Sequence, residues 1–217
     1  MKKFLALVGA CTLALSLSAC GGSGGETKPE TSASMEATPN ASVSTEATQK
    51  AEVPDHEPGL ISTTEDVVQP EQENAEKTVD DADALEQKWK DEGKKYAEAN
   101  GISTSFVGPT FATFSSDTIE SYGYYLNANG DWKAGDKVKI DFYCQTVEPA
   151  VIKVWIAPDT DTPSDEQKGQ LTEVMCGVDT PAHASWEYTL SADTDNLLIS
   201  RHQVPVEGFM ITDYTKM

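Results

Sequence analysis

The sequence predicts a mainly β chain: an antiparallel, jelly-roll-like β-sandwich preceded by one helix and a long disordered stalk. Three observations carry that prediction. Beyond residue 102, short runs rich in β-branched and aromatic residues are separated by clusters of turn formers, with no helical period between them. Inside those runs apolar and polar residues alternate with period two, as in strands buried on one face. From Gly21 to Val79 the chain has no Phe, Tyr or Trp and is dominated by Glu, Thr, Ser, Ala and Pro. Such a segment cannot bury enough apolar surface to offset the entropy of ordering it.

The N-terminus is a targeting segment. Lys2 and Lys3 precede an apolar run from Phe4 to Leu17, which is too short for a bilayer but suits the core of a signal peptide over residues 1–19. The run closes on Leu17-Ser18-Ala19-Cys20-Gly21, which resembles the lipobox of bacterial lipoproteins. That resemblance implies a diacylglyceryl thioether on Cys20 and cleavage after Ala19. Two acyl chains anchor stably where one does not, so the expected location is the extracytoplasmic face of the bacterial cell membrane. No later stretch approaches the roughly 20 apolar residues of a membrane-spanning helix.

Residues 20–79 follow as a stalk, in which 12 acidic and 3 basic residues from Gly21 onward repel one another and extend the chain. As a flexible coil it would span about 45 Å. From Asp80 to Met217, 24 acidic residues face 11 basic ones. Phosphate binding needs Lys and Arg to release counterions, so no nucleic acid partner is expected and neutral ligands or cations are favoured.

A helix is predicted over residues 80–101. Ala82, Leu85, Trp89, Tyr96 and Ala99 form its apolar stripe, with Asn100-Gly101 as the stop. Gly93 interrupts it at a cost of about 1 kcal/mol relative to Ala, so packing must compensate. Trp89 and Tyr96 either dock on the β domain or engage a partner.

The β-sandwich occupies residues 102–217. Its expected strands are Thr110–Phe114, Ser121–Leu126, Lys137–Cys144, Val151–Ile156, Leu171–Val178, Ala184–Leu190, Leu197–Arg201 and Gly208–Tyr214. The segments Asn127–Asp131, Pro158–Gly169, Asp179–Pro181 and Asp193–Asn196 read as turns. Val138, Ile140, Phe142 and Cys144 point one way against Lys137, Lys139 and Asp141, and Ala184, Trp186, Tyr188 and Leu190 alternate likewise.

The stretch Gly123–Tyr143, with Asn129-Gly130-Asp131-Trp132 and then Gly135-Asp136 entering an alternating strand, resembles the small jelly-roll modules of bacterial surface proteins. Many of those are carbohydrate-binding or galactose-binding-like. The resemblance implies a non-catalytic module whose partner is a cell-wall or extracellular glycan. An envelope protein met by the helix is the alternative, and a hydrolase the third.

Several residues carry the chemistry. Cys144 and Cys176 both sit on apolar faces, which in an oxidising compartment suggests a disulfide; two buried thiols are the other reading. Asp159, Asp161, Asp165 and Glu166 put oxygen ligands in one loop, and Ca²⁺ is the cation such ligands take, but Pro163, Ser164 and Gln170 break the EF-hand pattern. No other cofactor is implied. A ring's apolar face can cover the C–H face of a sugar. Trp132, in a polar turn, is the exposed candidate, with Tyr122 and Tyr124 on one face of their strand and Tyr125 on the other, so that one set should be core. Catalytic signatures are absent from the sequence: no Gly-x-Ser-x-Gly elbow, P-loop or His-Glu-x-x-His motif occurs. A zinc site from Cys144, Cys176, His183 and His202 would match no known ligand spacing.

Overall fold

The computed structural model describes residues 57–115, 117–161, 163 and 165–217. Cys20, the signal segment and the stalk as far as residue 56 lie outside them. The rest is an antiparallel β-sandwich with one helix. A five-stranded sheet has the order β1 (Gly59–Val68), β9 (Lys168–Met175), β8 (Val151–Pro158), β11 (Thr194–His202), β6 (Gly123–Trp132). A four-stranded sheet has the order β10 (Ala182–Thr189), β7 (Lys137–Thr146), β12 (Gly208–Lys216), β3 (Phe106–Pro109). From β6 to β12 every connection except β8–β9 passes from one sheet to the other, the alternation of a jelly roll. A small third sheet, β2 (Glu76–Thr78), β5 (Thr118–Glu120), β4 (Ala112–Ser115), lies outside the sandwich order.

The alternating strands form as their patterns dictate. β7 and β10 pair in one unbroken register, Val138 opposite Tyr188, Ile140 opposite Trp186 and Phe142 opposite Ala184. These side chains meet Ile152, Val154, Ile156, Val174, Leu197 and Ile199 of the other sheet in the main core. Cys144 of β7 and Cys176, one residue beyond β9, are joined by a disulfide with Cα atoms 5.0 Å apart. The bond ties one sheet to the other through the core.

The helix α1 (Ala82–Asn100) starts at Asp81, whose side chain accepts from the Ala84 N–H at 3.1 Å, and stops at Gly101, whose φ of 62° lets its N–H reach back to the last turn. It lies on the outer face of the four-stranded sheet, where Trp89, Phe209 and Ile211 form a second core with Phe111 and Ile119. Gly93 is the close-approach point: a Cβ there would stand 2.8 Å from Val107 Cγ1. Trp89 packs on Phe209, and Tyr96 on Phe209 and Tyr143. The two aromatics dock the helix on its own domain, Trp89 buried and Tyr96 half-buried.

Three sequence expectations need correction here. The stalk does not extend to Val79 as a disordered segment, because Gly59–Val68 is β1 and Glu76–Thr78 is β2. Leu60, Ile61, Val67 and Val68 are too few to make a core, but pairing with β9 satisfies the backbone and makes β1 an edge strand. Asn127–Asp131 is not a turn: β6 runs through it, with Ala128 opposite Leu197, and the three steps from Asn129 to Trp132 facing two from Asn196 to Thr194 put a bulge on β6 there. The reversal comes later, at Lys133–Asp136, where Gly135 has φ 89°. The expected strand Thr110–Phe114 is split into β3 and β4 around the buried Thr110 and Phe111, whose carbonyl accepts from Gln203 Nε2.

Candidate ligand-binding site

Between β1 and β2 the chain crosses the outer face of the five-stranded sheet as a strap, residues 69–75. Trp155 of β8 points to that face and is wholly buried, its Nε1 donating to Val67 O at 3.0 Å. Gln69 Nε2 donates to the Tyr125 hydroxyl and, at 3.4 Å, to Ser200 Oγ. Gln72 Nε2 donates to Gln203 O at 3.0 Å, and the Ala75 N–H to Ser121 Oγ at 2.9 Å. The strap is therefore fastened to β6 and β11 and to the segments flanking them, while the end of β1 that leads into it is held by β8.

Under its far end lies a polar cleft of about 150 Å³, walled by Glu71, Gln72, Glu73, Ser121, Lys153 and His202, with Val151 and Val204 as its apolar part. His202 is 5 % exposed, yet its Nε2 has no hydrogen-bond partner, and neither has Gln72 Oε1. Burial, helped by the positive charge of Lys153, pushes the His202 imidazole down to about 4, so it is neutral at pH 7. A neutral imidazole, an amide, an ammonium and two carboxylates can both give and accept hydrogen bonds around a small, uncharged, hydroxyl-rich group.

Beside the cleft stands a group of tyrosines. Tyr122, next to Ser121, accepts the Gln203 N–H on its carbonyl at 2.6 Å. Tyr122 and Tyr125 are each 48 % exposed and Tyr124 is 40 % exposed. The expectation that one side of this run is core fails, because β6 is the edge strand of its sheet and begins at the rim of the sandwich. Tyr124 faces inward onto a fully buried arginine. The guanidinium of Arg201 lies 3.7 Å from the Phe106 ring centroid and 4.6 Å from that of Tyr124, and the two rings are 4.7 Å apart. Its Nη1 donates to Thr212 Oγ1 at 3.3 Å, while Nε and Nη2 have no partner. Burial pushes its pKa down to about 9, which still leaves it charged at neutral pH.

No family model matches this chain, and no curated protein does. Two solved structures are similar to part of it. One, "CBM4 structure and function", is 15 % identical over 56 % of this chain and 83 % of its own, at a TM-score of 0.35. The other, a "non-crystalline cellulose specific carbohydrate-binding module: CBM28", is 12 % identical over 48 % of this chain and 77 % of its own, at 0.31. At that distance the likeness transfers no ligand.

The remaining sequence-derived candidates fall elsewhere. Trp132 is not an exposed platform: it is 4 % exposed in the main core, its Nε1 donating to Ala128 O at 2.9 Å, because β6 carries it inward. Asp159, Asp161, Asp165 and Glu166 lie between β8 and β9, and among the described residues no group of three or more His, Cys, Asp or Glu could hold a metal ion. The four residues of the zinc alternative do not assemble either, since both cysteines are in the disulfide and His183 stacks on Tyr143 at 4.3 Å on the outer face of the other sheet. Sequence reasoning missed the cleft. Its signal was the polar run Arg201-His202-Gln203 directly after the apolar residues of a strand.

Proposed function

We propose that this chain is a non-catalytic binding module for a neutral glycan, displayed from the outer face of a bacterial membrane by a lipid on Cys20. The observation that carries the reading is the juxtaposition of two exposed tyrosines, Tyr122 and Tyr125, with the strap and the polar cleft at His202. Aromatic faces cover the C–H faces of sugars, and the cleft meets hydroxyls. A formal net charge of −20 disfavours polyanionic ligands. The non-catalytic part rests on the one carboxylate–imidazole pair of the other sheet: Asp141 is 3.1 Å from His183 Nε2 and also takes the hydroxyl of Ser185. The serine thus bonds the acid and not the base, the reverse of what an activated nucleophile needs. The interaction reading rested on Trp89 and Tyr96, both of which pack on the chain's own sheet.

A glycan array followed by calorimetry, on residues 20–217 with Cys20→Ala, tests the reading. Saturable binding of a neutral saccharide is expected; a folded sample that binds none contradicts it. The anchor has its own test. In cells, Cys20→Ala should free the cleaved protein from the membrane fraction without altering its fold, and a cleaved protein that stays membrane-bound contradicts the lipid anchor.

A further inference from the structure

We infer that the cleft beneath the strap is a seat for a single neutral sugar unit at the end of a glycan chain, recognised by His202 and Gln72; this rests on the glycan reading above. The two hydrogen-bonding atoms that lack partners, His202 Nε2 and Gln72 Oε1, belong to the same cleft. Buried polar atoms are almost always paired; of the eight without a partner among the described residues, these two share one hollow, where a ligand that reaches them would satisfy both. The imidazole is nearly closed off from solvent, at 5 % exposure, so it is placed by the fold and not left waving at the surface.

Size and charge then name the occupant. A cleft of about 150 Å³ lies well below the roughly 300 to 1,000 Å³ of pockets that hold drug-sized ligands. It therefore takes one small unit and not several. The strap closes it on one side through Gln72 to Gln203 and through Ser121 to Glu73, which blocks a chain from running straight through. A glycan must present its end. Lys153 shares the walls with Glu71 and Glu73, a net of one negative charge, so the cleft turns away anions and a neutral unit meets both signs of charge in it. A neutral ring bearing adjacent hydroxyls can donate to one orphan and accept from, or donate to, the other. Tyr122, bonded through its carbonyl to Gln203, is in position to carry the next unit.

The test follows the His202 ring resonances by NMR while methyl glycosides of glucose, galactose and N-acetylglucosamine are added in turn. At least one should shift those resonances saturably, and Gln72→Ala, on the exposed strap, should weaken that glycoside about fivefold or more, the value of one hydrogen bond. If none of the three shifts the ring at concentrations up to about 100 mM, where millimolar affinity would be plain, the seat is overturned. A shift that Gln72→Ala leaves at full affinity overturns it as well. Array oligosaccharides that bind without touching His202 would refute the seat and leave the glycan reading standing.

Discussion

The guanidinium of Arg201 stacks on the ring of Phe106, 3.7 Å from its centroid, with no carboxylate beside it. A buried charge without an acid partner persists because two aromatic faces and Thr212 replace part of its hydration. Arg201→Lys keeps the charge but loses the flat, weakly hydrated group that suits the rings, and should cost about 2 kcal/mol. Arg201→Met fills the volume without the charge and should stay within about 1 kcal/mol of the wild type. Urea unfolding of the two variants checks the order; a lysine better tolerated than methionine would refute it.

Gly93 sets two effects of similar size against each other. Alanine gains about 1 kcal/mol of helix propensity, but its Cβ would stand 2.8 Å from Val107 Cγ1 and 3.3 Å from Phe209. Overpacking of that kind costs about 1–3 kcal/mol. Gly93→Ala should therefore destabilise by about 1 kcal/mol, and a variant more stable than the wild type would show that α1 sits less tightly on its sheet.

The Cys144–Cys176 disulfide spans a sequence separation of 32 and joins the two sheets through the core. The chain-entropy model gives it roughly 3 to 4 kcal/mol. The Cys144→Ala, Cys176→Ala double variant should lose about that much, a large share of the roughly 5 to 15 kcal/mol that holds a domain folded, with its midpoint in urea falling accordingly. An unchanged midpoint would contradict the bond's structural role.

How far the sequence was legible follows from where each strand finds its partners. β7 and β10 could be read because their alternation is local: β7 runs two residues past Lys137–Cys144, and β10 starts two residues before Ala184 and ends one before Leu190. β1 could not, because Gly59–Val68 has no core of its own and is held by hydrogen bonds to β9, more than 100 residues away. Trp132 misled through its neighbours: Asn129-Gly130-Asp131 has turn chemistry, but tertiary pairing carried β6 past it into the core. The cleft was illegible for a related reason. Its walls come from the strap, β8 and the end of β11, which no local pattern joins, and the expected strand Leu197–Arg201 stopped one residue short of His202.

His202 should leave a mark on the acid side of the stability curve. An unfolded imidazole takes its proton near 6.5, whereas in the fold burial and Lys153 hold His202 down to about 4. Between those values the unfolded chain binds the extra proton, so stability falls as pH drops from 6.5 to 4 and this group contributes no slope above 6.5. The loss should be about 3 kcal/mol by pH 4. Glu71, Glu73 and Lys153 share the cleft with it, so the difference between wild type and His202→Gln isolates the imidazole. A difference that stays flat from pH 7 to pH 4 would refute the buried neutral state.

The central claim is that the exposed tyrosines at the start of β6 hold a glycan. Calorimetry with the tightest saccharide found on the array, comparing the wild type with a Tyr122→Ala, Tyr125→Ala double variant, tests it most directly. Each lost ring contact is worth about 1 kcal/mol, so affinity should fall at least about tenfold, with the β-rich circular dichroism unchanged. A folded double variant that binds the saccharide as tightly as the wild type would contradict the claim.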